Sequence, residues 1–309
     1  MGRDVGLSVP LPNGKELWIF GDTSVSVSNG SGQMVLSQFI PGATGAEGPF
    51  AAGQIPTSLA EVPSPGQPLS LSASNPPARF TPAPTNVYMP DGTGRPCAPP
   101  LAAYSARWAS GAALIPNTSD VLITYGDACV VNATSFREEG WGFMEYNSIT
   151  NALDVAPHDV FPPSPSGAAL SSELELGSPV FSNGQVSLFS SVCTSLFVGC
   201  GAGQVYTTTL SSTVSSLSDP ASYSVTTAAT DGSSNWQPLG IAVASYSDAA
   251  FRMIETTAIT GAYNVVTAPT PTGPWHVESS GLAPGCGGLL SGFCYALVGH
   301  PELSTSSQL

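Results

Sequence analysis

Short apolar runs separated by turn residues dominate the chain, and their period is that of strands rather than helices. The first is Val5–Leu11, followed by Pro12-Asn13-Gly14-Lys15 and then Glu16–Phe20. Asn-Gly between two apolar segments is a strong short-range hairpin signal. Further units follow. Arg107–Leu114 and Asp120–Tyr125 predict a hairpin continued by Gly140–Tyr146. Ser178–Phe181, the turn Asn183-Gly184, Val186–Ser190 and Gln204–Thr209 predict another. Leu239–Ser245, Phe251–Thr257 and Ala262–Ala268 make a third, ending in Pro271–Trp275, and Cys294–Val298 opens a last, incomplete one. Between the first hairpin and the second unit, residues 41–103 are rich in Pro, Gly, Ser and Ala with weak periodicity. They predict a long surface insertion, and loops of that length are often functional.

The units begin near residues 5, 107, 178, 239 and 294. Their spacing becomes roughly even once the insertion is set aside. Five groups of about four strands predict an all-β fold, a five-bladed β-propeller. Residues 1–309 then form one domain whose last blade lacks strands. A β-sandwich also offers many short strands, but rarely this repeat length.

Composition narrows the partners. Only 9% of the residues are charged, and 7 Lys plus Arg against 21 Asp plus Glu leave a net charge of −14. Such a surface repels phosphate backbones and anionic membranes, so neither nucleic acid nor a membrane is expected as a partner. A neutral polysaccharide fits, taken up by a monomer. No apolar run approaches the roughly 20 residues of a membrane-spanning helix. Six cysteines and three histidines offer no finger-type zinc site. An even cysteine count in a charge-poor chain predicts three disulfides and a secreted, extracellular protein. Pairing by nearest neighbours gives Cys97–Cys129, Cys193–Cys200 and Cys286–Cys294. Asn29, Asn117 and Asn132 open glycosylation acceptor triplets. Met1 runs straight into a strand pattern, which reads as a trimmed or tagged start.

The candidate chemistry lies at the open end of the first hairpin. With Asn13-Gly14 as a two-residue turn, Asp4 faces Thr23 and Asp22 faces Val5. The carboxyls are then close but on opposite faces, so a bulge or a twisted strand end must make them converge. Glycoside hydrolysis needs two such carboxyls, one protonated as acid and one ionised as base or nucleophile. The plainer role for both residues is capping the hairpin end.

The segment Gly2-Arg-Asp-Val-Gly-Leu-Ser-Val-Pro-Leu-Pro-Asn-Gly-Lys-Glu-Leu-Trp-Ile-Phe-Gly-Asp-Thr23 resembles the opening blade of microbial five-bladed propeller glycosidases. It is most similar to the endo-D-arabinanases that cut mycobacterial arabinogalactan and lipoarabinomannan. Arg107-Trp108, Gly177-Ser-Pro-Val-Phe181, Pro271-Thr-Gly-Pro-Trp275 and Gly299-His-Pro-Glu-Leu-Ser304 extend the likeness over most of the chain outside the insertion. The resemblance implies hydrolysis of furanosidic linkages with no cofactor, by inversion as in related furanosidase propellers, and Asp4 and Asp22 as the catalytic carboxylates. It also implies that a later blade can supply a general acid, which brings in Glu139 and Glu173, with Glu302 in the final-blade segment. Comparable propellers place a histidine near the axis against water, a metal ion or substrate. His300 fits that place, which leaves room for a structural metal ion there.

Arg107 and Trp108 are further candidates for substrate contact, Arg107 as one of seven cationic residues and Trp108 by stacking on a sugar face. Trp141 and Trp236 share the second argument. Glu138 and Glu175 read as exposed loop carboxylates. A P-loop, a dinucleotide fingerprint and a Gly-x-Ser-x-Gly elbow are all absent. The alternative reading is a noncatalytic propeller, a lectin-like glycan binder or a surface interaction module.

Overall fold

A computed structural model describes residues 1–72, 74–132, 135–163, 176–190, 203–210, 215–228, 241–245, 250–256, 261–286 and 298–303. Glu173, Glu175, Trp236, Cys193, Cys200 and Cys294 lie outside these residues. The chain is nearly all β. In order, the strands are β1 (Gly2–Arg3), β2 (Leu7–Pro10), β3 (Lys15–Phe20), β4 (Thr23–Ser28), β5 (Met34–Ile40), β6 (Thr44–Pro49) and β7 (Ala60–Glu61). Then follow β8 (Tyr104–Leu114), β9 (Asp120–Asn132), β10 (Ser135–Asn147), β11 (Ala152–Phe161), β12 (Pro179–Ser182), β13 (Gln185–Ser190), β14 (Gly203–Thr209) and β15 (Ser224–Ala228). The last four are β16 (Ile241–Ser245), β17 (Phe251–Thr256), β18 (Ala262–Ala268) and β19 (His276–Leu282).

These strands make four antiparallel sheets of four, β2-β3-β6-β7, β8 to β11, β12 to β15 and β16 to β19, and one small sheet β1-β4-β5. The four large sheets stack in series. Leu7, Val9, Leu17 and Ile19 of the first pack on Val121, Ile123, Met144 and Tyr146 of the second. The second sheet's other face sends Leu122, Trp141 and Phe143 against Val186, Leu188 and Tyr206 of the third. Phe189 and Val205 of the third meet Phe251, Met253 and Val266 of the fourth. Alternation along each strand supplies both apolar faces, so the second and third sheets are covered on two sides. The leading strands touch in turn, β2 with β8, β8 with β12 and β12 with β16. At the β8–β12 contact Gly111 is required, because a Cβ there would lie 2.5 Å from Ser178 Cα.

Two differences from the sequence pattern have plain causes. The turn Asn183-Gly184 is the expected two-residue hairpin, with φ of 51° and 73° at its two residues. The first hairpin instead has a three-residue loop, Pro12 to Gly14, in which Leu11 N–H donates to the Lys15 carbonyl at 2.8 Å. Pro12 has no N–H, so it cannot form the closing pair a two-residue turn requires. Gly14 takes φ 76° to complete the loop. The register shifts by one, pairing Leu7 with Ile19 and Ser8 with Trp18.

The stretch expected as a surface insertion also supplies β6 and β7, the outer strands of the first sheet. The sequence Thr-Gly-Ala-Glu-Gly-Pro hides β6 because it is buried on both faces and shows no alternation. Phe80 is fully buried in the core between the first two sheets. The Cys97–Cys129 disulfide ties the later part of the stretch to β9, with Cα atoms 5.7 Å apart. Cys286 is also disulfide-bonded, to a partner outside the described residues. No described helix is long and apolar enough to cross a membrane.

Candidate active site

The one-residue register shift decides the geometry at the open end of the first hairpin. Arg3 pairs with Thr23 and Gly2 with Ser24, so Asp4 comes opposite Asp22 rather than beside it. Asp4 N–H donates to the Asp22 carbonyl at 3.1 Å, and the Asp4 carbonyl accepts from Gly21 N–H at 2.6 Å. Two residues opposing one is the pattern of a β-bulge. Gly21 fits because a Cβ there would sit 3.3 Å from both Asp4 Cβ and Asp4 O. Val5 adopts φ 53°, an outlying conformation for a β-branched residue that costs about 1–3 kcal/mol. Here β2 and β3 leave the first sheet and continue as β1 and β4 of the small one. Asp4 is exposed and Asp22 half-buried.

Three donors hold the Asp22 carboxyl. Gly42 N–H reaches Oδ1 at 2.7 Å and Trp108 Nε1–H the same oxygen at 2.9 Å. Tyr104 Oη donates to Oδ2 at 2.7 Å. Tyr104 and Trp108 lie four apart on β8 and so share a face. Gly42 presents its amide from φ 88°. Edge contacts brace the two rings, Phe39 against Tyr104 at 5.2 Å and Phe136 against Trp108 at 5.7 Å. A group surrounded by donors is matched as an acceptor-only carboxylate.

Arg107, between those two residues, points to the other face and is 7% exposed. Its Nε and an Nη each donate to Asp127 at 2.6 Å, and its guanidinium stacks 4.1 Å from the Tyr125 ring centre. Tyr125 Oη donates to Asp159 at 2.8 Å. Burial pushes Asp127 up to about 6, against the pull of Arg107. This cluster is internal to the second sheet and offers little to a ligand. Glu139 is likewise buried, one oxygen accepting from Tyr88 N–H at 2.8 Å, which ties the insertion to β10. Burial raises it above the usual carboxylate range.

His300 and Glu302 pack on the first hairpin along the face away from the second sheet. Ser8 Oγ lies 2.5 Å from His300 Nδ1 and also donates to Glu302. The His300 ring lies 5.1 Å from that of Trp18, whose Nε1 donates to Glu16 at 3.0 Å. Glu16 is fully buried, and burial together with the neighbouring Glu302 raises it to about 7. Burial acts upward on Glu302 as well, but hydrogen bonds from His300 and Ser8 bring it below the usual range. The carboxyls therefore fall into two groups, Asp4 with Asp22 at one end of the hairpin and Glu16 with Glu302 nearer its turn. Gly42, Tyr104 and Glu16 escaped the sequence reading. A Tyr and a Trp four apart on a predicted strand were a signal for Tyr104, and an acid inside an apolar hairpin was one for Glu16. Nothing local marks Gly42. Among the described residues no group of three or more His, Cys, Asp or Glu side chains is arranged to hold a metal ion.

No family model matches the chain, and no curated protein matches it either. Solved structures do. A Bacteroides ovatus protein provisionally called a hydrolase aligns with TM-score 0.51 and 14% identity over 91% of this chain and 69% of its own. A Xanthomonas citri enzyme of glycoside hydrolase family 43 aligns with TM-score 0.44 and 10% identity over 91% and 75%. The catalytic domain of a Coprinopsis cinerea family 62 α-L-arabinofuranosidase gives TM-score 0.44 and 12% identity over 95% and 70%. The first likeness shows a shared fold, which by itself does not carry an activity.

Proposed function

We propose that the chain is a secreted glycoside hydrolase that cleaves furanosidic linkages in a polysaccharide, with Asp4 and Asp22 doing the proton transfer. The observation that supports this reading most is the pairing of Asp4 and Asp22 across the bulge, with three donors on Asp22. The sequence favours Asp4 as the base that activates water and Asp22 as the proton donor, while the three donors that hold Asp22 favour the exchanged roles. The opening-blade resemblance names an endo-D-arabinanase as the enzyme type. The serial stacking of sheets and their touching leading strands support a propeller, and the contact of His300 with Ser8 is where a fifth blade would meet the first hairpin.

Inversion requires the acid and base roughly 6.5–9.5 Å apart with water between them, and retention about 5–5.5 Å. We favour inversion, as in the furanosidase propellers the sequence resembles. Incubation with soluble arabinans, galactans and xylans, followed by product separation and NMR of the nascent anomer, tests the reading. Furanose oligosaccharides with inverted anomeric configuration are expected. An unchanged panel would contradict hydrolysis and favour the glycan-binding alternative, which the exposure of Asp4 also fits.

A further inference from the structure

The small sheet β1-β4-β5 carries a two-toned face that begins at the carboxyl pair. Residues two apart on a strand share a face, so Ser24, Ser26 and Ser28 continue the side on which Asp22 sits. Directly opposed residues share a face too. Ser24 pairs with Phe39, Ser26 with Leu36 and Ser28 with Met34, and a bulge in β5 at Ser37, between the pairs Val25–Gln38 and Ser26–Leu36, brings Phe39 and Leu36, three apart, to one side. A row of hydroxyls thus runs beside a row of apolar side chains. Phe39 is 38% exposed, Leu36 62% and Met34 64%. On the other flank Gly2 opposes Ser24 and has nothing within 4 Å of where a Cβ would lie. The contact of Phe39 with Tyr104, which itself holds Asp22, shows that this face and the carboxyl site are continuous.

Charge is the other half of the observation. Residues 23–46 contain no charged side chain, in a protein of net charge −14. Exposed apolar groups of this size are not a neutral feature of a soluble surface, since large contiguous patches mark binding surfaces. A glycan chain presents apolar C–H faces alternating with hydroxyls, which a Ser row beside a Phe-Leu-Met row complements. An acidic surface elsewhere costs an uncharged glycan nothing.

We infer that the Ser24–Ser26–Ser28 and Phe39–Leu36–Met34 face of the β4–β5 hairpin is a binding track for an uncharged polysaccharide leading to the Asp4–Asp22 site. The inference rests on the proposed function for where the track leads, but glycan binding along it requires no turnover. Affinity electrophoresis in native gels containing soluble arabinan, arabinogalactan or xylan separates the two. Wild type should be retarded by at least one of these glycans. Phe39→Ala and Leu36→Ser should each weaken retention about tenfold, the scale of one lost stacking or apolar contact. Val35→Ser, on the opposite face of the same strand and paired with Val27, should leave retention unchanged. Leu36 and Val35 are exposed, so neither change threatens the fold.

Absence of retention in every gel, equal retention of all variants, or equal loss with Val35→Ser would overturn the track. So would hairpin variants that dissociate a dimer in sedimentation analysis with retention unchanged, since the face would then hold a second copy of the chain. Retention without any product from the retained glycan would sink the hydrolase reading and leave the track standing.

Discussion

At the residue scale, the structure ties Asp22 to groups far from it in sequence. On the proposed function the Tyr104 hydroxyl, which donates to Asp22, is a positioning group. Tyr104→Phe removes one of three donors and should lower kcat by about tenfold, as expected for one hydrogen bond to a charged group worth about 1.5 kcal/mol. KM and thermal unfolding should stay close to wild type. Unchanged kcat would mean that Gly42 and Trp108 suffice. Asp4 and Asp22 were visible as two acids at one hairpin end, but their face depended on Pro12, whose missing N–H moves the register by one. Arg107 reads as a site residue because it is one of seven cationic side chains, and Glu139 because the family resemblance draws a general acid from a later blade. In the structure Arg107 pairs with Asp127, and Glu139 accepts from Tyr88 N–H.

At the scale of elements, hairpins with simple alternation were legible and buried strands were not. Ala262–Ala268 matches β18 end to end because Val265 and Val266 sit in a run bounded by turn residues. Strand β6 was lost among Gly and Ala, since burial on both faces erases the period-2 signal. Two predictions belong here. Gly111→Ala places a Cβ against Ser178 backbone at the contact of the second and third sheets, and overpacking of this kind costs about 1–3 kcal/mol. Chemical denaturation should show a lower midpoint with unchanged slope, and an unshifted midpoint would mean that β8 and β12 are farther apart. The Cys97–Cys129 bridge closes 32 residues of sequence between the insertion and β9. Replacing both by Ser should cost about 2–4 kcal/mol and speed proteolysis within residues 41–103. Unchanged cleavage rates there would show that Phe80 and its neighbours anchor the stretch unaided.

For the whole molecule, charge and burial act in one direction. Glu16 is raised to about 7, and Asp127 and Glu145 to about 6, with burial the leading cause in each. A carboxyl raised on folding binds its proton more tightly in the folded state. Its contribution is therefore complete below the ordinary carboxylate value and is lost as pH rises through the folded one. Glu302, which is lowered, works the other way, but its loss falls below the ordinary carboxylate value near 4.5. The net charge of −14 adds self-repulsion as the acids ionise. Thermal unfolding should accordingly occur at higher temperature near about pH 5 than near about pH 7.5. Glu16→Gln should flatten that dependence by keeping a neutral partner beside Glu302. A Tm that rises with pH across this range would contradict the upward shifts of these buried carboxyls.

The central claim is that Asp4 and Asp22 together carry the chemistry. It is tested most directly by kcat/KM of Asp4→Asn and Asp22→Asn on the glycan that wild type cleaves, alongside their thermal unfolding. Both variants should unfold as wild type does and lose about 10²–10⁴-fold in kcat/KM, the range of a lost proton-transfer group. Near-normal turnover by either folded variant would make that residue a cap of the hairpin end and move the acid–base work elsewhere.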